Sequence, residues 1–288
     1  MLSIVVTWRD RFELAHALPG LVDTAAAAGG DITVVNFGGD PDLLAEQVSG
    51  HGHAVQIVHV ENQRYFHKAK AQNLGIGLTR HPFLFFTDCD IVLEPASVVD
   101  LLEQVAAVPG TFATLGGVTE SATNSRGAGH VTCFGYTLLI RTADGAELRI
   151  VDNEEDADDG TRNAPGLLLA RRDDLLRIGG FNSCLHGWGW EDQDLIGRLT
   201  LGARLRRIIS GRAIHLSHDD ATRVAHYPIA DRWESRDRMF REALANYDRA
   251  DFSGTLDDDL RSIAYRVGGA VTGSTAASAR RSSGAGSG

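Results

Sequence analysis

The first hundred residues alternate short apolar runs with longer amphipathic segments. Apolar runs rich in β-branched or aromatic residues predict strands at Ser3–Thr7, Asp31–Phe37, Ala54–Val60 and Phe83–Phe86. The segments between and after them predict helices at Arg11–Ala28, Asp42–Ser49, Lys68–Thr79 and 97–107. Because strands that alternate with helices form parallel sheets covered on both faces, this order predicts a single α/β unit.

Beyond about residue 110 the pattern changes, and antiparallel strands become the better prediction. We expect strands around Val131–Ile140, Leu167–Ala170 and Ile208–Leu216, and helices at Asp192–Leu205 and Ala230–Tyr247. Six of the eight residues from Asp152 to Asp159 are acidic, which predicts a solvated loop and not a metal site. The Gly/Ser/Ala-rich end of the chain, 266–288, is predicted to be a disordered tail because it cannot bury a core.

Composition and charge narrow the class of protein. With 43% hydrophobic and 23% charged residues, the chain has the composition of a folded globular protein and not of a disordered or collagen-like one. Thirty-eight Asp and Glu residues against 28 Lys and Arg give a formal charge of -10, which disfavours nonspecific nucleic-acid binding. The 3 cysteines show no paired spacing, and the chain has no basic leader and no long apolar run. We therefore expect a cytoplasmic protein without a membrane segment.

Two carboxylates, Asp88 and Asp90, follow the predicted strand Phe83–Phe86 directly. In an open α/β sheet, ligands bind at the carboxyl ends of the strands, and carboxylate oxygens suit Mg²⁺ or Mn²⁺ bound to a diphosphate. The alternative, that these polar residues only end a strand, is weaker because the strand is a buried one. Four basic residues favour a diphosphate ligand in an otherwise acidic chain: Arg9, Arg11, Lys68 and Lys70.

Glycines and tryptophans alternate at 187–190, immediately before the acids Glu191 and Asp192. The glycines permit positive φ angles or movement, and the two indoles offer flat apolar faces for a sugar ring. The alternative is a tryptophan core next to acids that a helix dipole stabilises. Two tryptophans within four residues favour a functional site over an ordinary turn.

His215 and His218 lie three residues apart at the end of a predicted strand. An imidazole can complete a coordination sphere that Asp90 begins, since Mn²⁺ accepts nitrogen ligands. For either histidine alone, a hydrogen-bonded or surface position is an equal expectation. At least one of the two is predicted to bind metal, and the sequence does not choose between them.

Together these segments resemble metal-dependent glycosyltransferases of the GT-A fold, most closely the β-1,4-galactosyltransferase and chondroitin-synthase-like group (family 2/7 type). The likeness runs in the same order over about 3–220 and is carried by Thr7-Trp-Arg-Asp-Arg11, Val35-Asn36, Phe66-His-Lys-Ala-Lys-Ala-Gln-Asn73, Asp88-Cys-Asp90 and Gly187-Trp-Gly-Trp-Glu-Asp192. It implies a Rossmann-like, mostly parallel sheet with flanking helices and a small antiparallel sheet on the acceptor side. It also divides a single predicted domain, 1–265, into a nucleotide-sugar-binding half (about 1–112) and an acceptor and catalytic half (about 113–265).

The resemblance implies a role for each matching residue. The expected donor-binding residues are Thr7, Arg9, Arg11, Asn36, Phe66, Lys68, Lys70, Asn73, Asp88 and Trp188. The expected acceptor-binding residues are Trp188, Gly189 and Trp190. The expected metal ligands are Asp90, Asp88, and His215 or His218, and the expected catalytic residues are Asp192, as the base, and Glu191. Two positions depart from the group: Lys68 replaces an arginine, and Trp190 stands where glycine is frequent.

We therefore predict a metal-dependent inverting glycosyltransferase that uses Mn²⁺ or Mg²⁺ and moves a hexose or N-acetylhexosamine from a UDP-sugar to a carbohydrate or another hydroxyl-bearing acceptor. The alternatives are a retaining glycosyltransferase of the same fold, a nucleotidyltransferase and a non-catalytic sugar-binding module. The retaining relatives that this chain resembles tend to carry a neutral residue where Asp192 stands. Nucleotidyltransferases usually have a Gly-rich loop near the first strand, and 3–11 contains no glycine. The identity of the donor sugar and of the acceptor is not encoded in a readable motif.

Overall fold

The computed structural model describes residues 1–122 and 130–269 of the 288-residue chain. Over these residues the strands are, in chain order, β1 (Leu2–Trp8), β2 (Asp31–Phe37), β3 (Val55–Val60), β4 (Phe83–Asp88), β5 (Ile91–Leu93), β6 (Thr111–Thr114), β7 (Val118–Glu120), β8 (Gly135–Arg141), β9 (Glu147–Asn153), β10 (Thr161–Arg162), β11 (Leu168–Arg171), β12 (Arg206–Ile209), β13 (Ala213–His215) and β14 (Arg266–Gly269). The helices are α1 (Leu14–Ala27), α2 (Pro41–Gln47), α3 (Lys68–Leu78), α4 (Pro95–Ala107), α5 (Arg172–Arg177), α6 (Glu191–Gly197), α7 (Asp220–Val224), α8 (Arg232–Asp248) and α9 (Leu256–Ser262).

The central sheet has eight strands in the order β12-β6-β11-β4-β1-β2-β3-β14. β1 pairs in parallel with β2 and β4, β2 with β3, and β6 with β12. β11 and β14 run antiparallel to their neighbours. This mostly parallel sheet within a mixed α/β structure confirms the predicted fold class and is consistent with a GT-A-like Rossmann fold.

β1 lies in the middle of the sheet and is buried along its whole length. Ile4 and Val6 pack into the apolar layer that contains α1 and α4, and Val5 packs into the layer on the other face. Gly75 of α3 lies against Val5 so closely that a Cβ atom there would be 2.3 Å from Val5 Cγ1. Because both faces are covered, the strand has a continuous apolar sequence instead of an alternating one.

Two smaller sheets follow residue 90. One has four strands in the order β10-β7-β13-β5, and the other is the antiparallel hairpin of β8 and β9. In the four-stranded sheet β10 and β5 run antiparallel to their partners. These sheets confirm the expected antiparallel strands in the second half of the chain, and β13 delivers His215 to the same end of the molecule as β4.

Two predicted segments are divided in the structure. The expected strand Ile208–Leu216 becomes β12 in the central sheet and β13 in the four-stranded sheet, because the chain turns at Gly211, whose φ is 74°. The expected helix Asp192–Leu205 becomes α6 and a π-helical turn at Arg198–Gly202. In both segments the type of secondary structure was predicted correctly, but the structure divides each predicted element into two.

The first helix begins at Leu14 and not at Arg11. Asp10 has a φ of 51°, and the Trp8 indole N–H donates a hydrogen bond of 2.8 Å to the carbonyl of Arg11. This turn holds Arg11 outside the helix, where its guanidinium donates to Asp90 at 3.0 Å.

The acidic run at 152–159 is not uniformly solvated. Strand β9 alternates buried and exposed positions, and this alternation buries Asp152 together with residues 148 and 150. Asp152 accepts hydrogen bonds from Gln193, at 3.4 Å, and from Arg236. Glu155 is 4% exposed. The prediction of a solvated loop is therefore wrong for these two carboxylates. The alternation of β9 explains the burial of Asp152, whereas Glu155 lies beyond the end of that strand.

The start of the predicted disordered tail, at residue 266, was placed at least four residues too early. Arg266–Gly269 form β14, which pairs antiparallel with β3 at the edge of the central sheet. The remainder of that prediction, 270–288, lies outside the described residues. None of the helices in the described part of the chain combines the length and the apolar character needed to cross a membrane.

A buried ion pair anchors α6. The side chains of Arg198 and Asp194 are each 1% exposed, and their Nε and Oδ2 atoms are 2.7 Å apart. Arg198 also donates to the carbonyl of Gly180 at 2.6 Å, and Asp194 accepts from the hydroxyl of Tyr247 on α8 at 2.9 Å. The pair thus joins α6 to the loop before it and to α8.

Replacing Arg198→Met should lower the free energy of unfolding by about 3–5 kcal/mol, because the change leaves the Asp194 carboxylate buried without its counter-charge. Urea denaturation measures this loss. The matched control is Arg177→Met, which removes an ion pair whose arginine is 55% exposed and should change stability by less than about 1 kcal/mol. Equal small losses in both variants would contradict the anchoring role.

Candidate functional site

An open cleft lies where β1 and β4 end, and Thr7 and Asp88 of these strands line it. Ligands of open α/β sheets bind at such strand ends. The predicted site residues that line the cleft are Thr7, Arg9, Arg11, Phe66, Lys68, Asp88, Asp90, Trp188, Gly189, Glu191, Asp192, His215 and His218. The fold therefore brings residues from five separate segments of the sequence to one cavity.

Two predicted donor-binding asparagines lie outside the cleft lining and support the scaffold. The Asn36 amide closes the turn after β2, since its Oδ1 accepts from the N–H of Gly39 at 2.7 Å. Asn73 is fully buried; it accepts from the N–H of Phe181 at 2.7 Å and donates to Asp259 Oδ2 at 2.7 Å. Both amides are buried and hydrogen-bonded to the protein itself, so the structure places them in the scaffold and not among the cleft residues.

Trp190 and Lys70 are also outside the cleft lining. Trp190 is 3% exposed and packs edge-on against Phe240 of α8, with ring centroids 4.9 Å apart. The structure therefore places Trp190 in the core and not in the cleft, where an acceptor would bind. Lys70 follows Lys68 by two positions on α3, which turns its side chain to a different face of the helix.

Asp90, His215 and His218 converge at one end of the cleft, and their ligand atoms all lie within 4.8 Å of one another. The Asp90 Oδ2 atom is 3.2 Å from His218 Nε2 and 3.6 Å from His215 Nε2. Both histidines are therefore brought to Asp90, where the sequence left the choice open. One carboxylate oxygen and two imidazole nitrogens fit a borderline divalent cation such as Mn²⁺.

Cationic neighbours set the charge state of Asp90. Burial by itself raises the pKa of the Asp90 carboxyl, but hydrogen bonds from His215 and His218 and the charge of Arg11 hold it well below its usual range. Arg11 also forms a two-point contact with Glu13, at 3.0 and 2.9 Å. Asp90 is therefore an anion held in a fixed position, as a metal ligand must be.

Glu120 orients His215 from the side opposite Asp90. Its Oε2 atom is 2.6 Å from His215 Nδ1 and accepts a hydrogen bond from the Ser217 hydroxyl at 2.8 Å. Its Oε1 accepts from Arg162 at 2.6 Å. These contacts outweigh the effect of burial and lower the pKa of Glu120 to about 2. A carboxylate on Nδ1 fixes the imidazole with Nε2 free to bind a cation.

Asp88 is not part of this cluster. Its carboxylate is 41% exposed and points to Lys68, whose Nζ atom is 2.9 Å from Asp88 Oδ1. The same Nζ is 2.9 Å from Asp192 Oδ2 and 3.8 Å from Glu191 Oε1. Burial alone lowers the pKa of Lys68, but the charges of Asp192, Asp88 and Glu191 raise it well above its usual value. The ammonium group thus remains charged and links both acidic motifs.

Glu191 and Asp192 both have raised pKa values. Burial is the main cause for Glu191, whose pKa rises to about 7, and the charge of Asp192 adds to it. Burial also raises the pKa of Asp192, and Lys68 opposes this rise. Glu191 Oε2 accepts from the N–H groups of Gly189 and Trp190 at 3.2 and 3.1 Å, so it is tied to its own loop. Asp192 instead accepts a hydrogen bond from Lys68, and both acids line the cleft.

The loop at 187–190 is held in place by α8. Gly187 and Gly189 have φ angles of 155° and 118°, as the glycine pattern suggested. A Cβ atom on Gly187 would lie 2.3 Å from the Ser235 hydroxyl, which also accepts from the N–H of Trp188 at 3.0 Å. The Trp188 ring lies in the cleft lining, where a ligand can contact it.

Residues 155–219 match the family model described as the N-terminal domain of galactosyltransferase. The matched segment contains Trp188, Asp192, His215 and His218 of the cleft. The match supports a galactosyltransferase-like glycosyltransferase, and with it a sugar donor and an acceptor. No curated protein matches the chain significantly.

Sequence reasoning missed several residues that shape this glycosyltransferase-like cleft. Gly166 lies so close to Asp192 that a Cβ atom on it would be 2.4 Å from Asp192 Oδ2. Tyr227 packs edge-on against Phe66, with ring centroids 5.4 Å apart. Neither residue belongs to a motif. The fold packs Gly166 against Asp192 and Tyr227 against Phe66, and both contacts join segments that are far apart in the sequence. Arginines that the sequence did not single out also line the cleft: Arg162, Arg223, Arg232 and Arg236.

Replacing Glu120→Gln should weaken Mn²⁺ binding about 10–100-fold, because the outer carboxylate that orients His215 loses its charge. Isothermal titration with MnCl₂ measures this affinity without any need for turnover. Glu147→Gln on the exposed side of β9 is the control and should leave the affinity unchanged. A folded Glu120→Gln protein with the affinity of the original chain would contradict the role assigned to Glu120.

Proposed function

We propose that this protein is a metal-dependent inverting glycosyltransferase that moves a hexose or N-acetylhexosamine from a UDP-sugar to an acceptor hydroxyl. The observation that carries the proposal is the position of the Lys68 ammonium, 2.9 Å from both Asp88 and Asp192. It joins the acid pair at the end of β4 to the acid at the start of α6. A diphosphate site and a candidate base are thus separated by a single side chain.

The donor end of the cleft has the charges that a nucleotide diphosphate needs. Two guanidinium nitrogens of Arg9, Nε and Nη1, are buried and have no hydrogen-bond partner among the described residues. Together with Lys68, they can donate to phosphate oxygens. A Mn²⁺ or Mg²⁺ ion would be held by Asp90, His215 and His218. When bound, it supplies positive charge that stabilises the departing diphosphate.

Asp192 is the candidate base for the acceptor hydroxyl. Without a donor its carboxylate is paired with Lys68. A diphosphate competes for the same ammonium, so donor binding releases the carboxylate to accept a proton. The hydroxyl oxygen then attacks the anomeric carbon from the face opposite the leaving diphosphate, and Asp192 takes its proton. Attack from that face converts an α-linked donor into a β-linked product.

The other candidate functions have less support. A retaining transferase needs no base on the face opposite the diphosphate, yet a buried acid with a raised pKa lines the cleft at Asp192. A nucleotidyltransferase is disfavoured by the galactosyltransferase match. A non-catalytic sugar-binding module would have no need for two buried acids with raised pKa values, which concentrate at catalytic sites.

Replacing Asp192→Asn should lower the rate of sugar transfer about 10²–10⁴-fold, since the amide cannot accept the proton. Binding of UDP with Mn²⁺ should change little. Initial rates of UDP release and titration calorimetry measure the two quantities. Asp173→Asn, at an exposed position on α5, is the control that should keep the rate. Transfer retained in Asp192→Asn would overturn the assignment of the base.

The pH dependence of kcat/KM tests the partnership of Lys68 with the acids. The base acts only when ionised, so the rate falls as the pH drops through its pKa, which burial raises above the ordinary 3.8. Lys68→Met removes the cation that opposes this rise. The acid limb should therefore move to higher pH, and in Lys68→Arg it should move less. An acid limb at the same pH in all three proteins would contradict the coupling.

A further inference from the structure

A second group of cations lines the cleft and is built on elements other than those that carry Arg9, Arg11 and Lys68. Arg223 of α7 and Arg232 of α8 lie beside the indole of Trp188, with their Cζ atoms 5.9 and 5.6 Å from the ring centroid. Both guanidinium groups line the cleft. Their side chains are 20% and 14% exposed, so both are largely withdrawn from bulk water.

These guanidinium groups have donors that the protein does not use. Arg232 places Nε 3.1 Å from Asp220 and Nη2 3.2 Å from Glu154, but its Nη1 is buried without a hydrogen-bond partner among the described residues. Arg223 makes no side-chain hydrogen bond within that part of the chain; the carboxylate with which it pairs, Asp220, is 3.8 Å away. A buried N–H group without a partner, such as Arg232 Nη1, is unfavourable, and a ligand that accepts its hydrogen bond would remove this cost. The Arg223 donors, which have only the 3.8 Å ion pair with Asp220, can bind the same ligand.

The surrounding carboxylates do not fully neutralise the pair. Asp220 serves both arginines and is 60% exposed, so water screens its charge. Glu120 is already paired with Arg162 and with His215. Arg162 is also close enough to Arg223 to repel it electrostatically. The guanidinium groups of Arg162, Arg223 and Arg232 thus share the carboxylates Glu120, Glu154 and Asp220, and Arg223 has the weakest partner, the exposed Asp220 at 3.8 Å.

The arginine pair extends from the cleft towards the protein surface. The guanidinium of Arg232 lies between two indoles, since its Cζ is 4.5 Å from the ring centroid of Trp233 as well as 5.6 Å from that of Trp188. Trp233 is 40% exposed. Trp188, Arg232 and Trp233 thus form a row of side chains that begins in the cleft and ends at the exposed Trp233. Donor phosphates, by contrast, would bind Arg9 and Lys68 at the ends of the central strands.

We propose that Arg223 and Arg232 form a subsite for an oxyanion, a carboxylate or a phosphate, that is part of the sugar acceptor. The proposal rests on the proposed transferase function and specifies its acceptor as an anionic sugar or glycan. Guanidinium forks donate two parallel hydrogen bonds to such groups, and the flanking indoles offer faces for the sugar ring. The anion thereby fixes the position of the acceptor hydroxyl relative to Asp192.

Titration of the full chain with glucuronate, glucose 6-phosphate and glucose, each in the presence of UDP and Mn²⁺, tests the subsite. At least one anionic sugar should bind tenfold or more tightly than glucose. The affinities of glucuronate and glucose 6-phosphate then show whether the subsite prefers a carboxylate or a phosphate. Arg223→Gln and Arg232→Gln should each remove most of this preference, and Arg232→Lys should remove part of it. Arg241→Gln, at a 74%-exposed position on α8, is the control that should keep it.

Equal affinity for the three sugars, or an unchanged preference in folded Arg223→Gln and Arg232→Gln proteins, would overturn the subsite. If both variants lose UDP affinity as strongly as they lose anionic sugars, the arginines bind the donor diphosphate, and the assignment to the acceptor is wrong. UDP titration of the unsubstituted chain separates the two proposals. Failure to bind UDP with Mn²⁺ would overturn the transferase function even where anionic sugars bind tightly.

Discussion

The ammonium group of Lys68 lies among three carboxylates, and the arrangement of the cleft depends on it. Two buried acids at the start of α6 would repel one another if both were ionised and unpaired. A single buried cation at 2.9 Å from Asp88 and Asp192 offsets that repulsion and fixes the distance between the two acidic motifs. In the function that we propose, a diphosphate that pairs with Lys68 would leave Asp192 free to accept a proton.

The topology of the sheet supplies the rest of the geometry. β1 and β4 are parallel neighbours, so the residues that follow them emerge at one edge. The antiparallel pairing of β13 with β5 then returns His215 to Asp90, and Glu120 at the end of β7 supports it from behind. Charged groups gathered in this way are stable only when each has a partner, and most of the cleft follows that rule. The exceptions are Arg9 and Arg232, whose buried guanidinium groups keep donors without a hydrogen-bond partner among the described residues, and Arg223, whose ion pair with Asp220 is 3.8 Å long. All three residues line the cleft.

The sequence predicted much of this because its strongest signals are local. Continuous apolar runs marked the buried parallel strands, and glycine, tryptophan and acid spacing marked the loop before α6. It failed where a role depends on long-range packing. Asn73 and Trp190 sit inside motifs but are buried by α9 and α8, while Gly166 and Glu120 belong to no motif and are defined by what they contact. The net charge was similarly uninformative, since a chain of net charge -10 places Arg162, Arg223, Arg232 and Arg236 in the lining of one cavity.

Metal-dependent turnover of a nucleotide sugar in this cleft is tested most directly by ³¹P NMR. The full chain is incubated with UDP-hexoses and UDP-N-acetylhexosamines and with neutral and anionic sugar acceptors, once with Mn²⁺ and once after chelation with EDTA. We expect at least one donor to be converted to UDP with Mn²⁺ and not after chelation. Release of no UDP from any donor with Mn²⁺, or release at the same rate after chelation, would contradict the assignment.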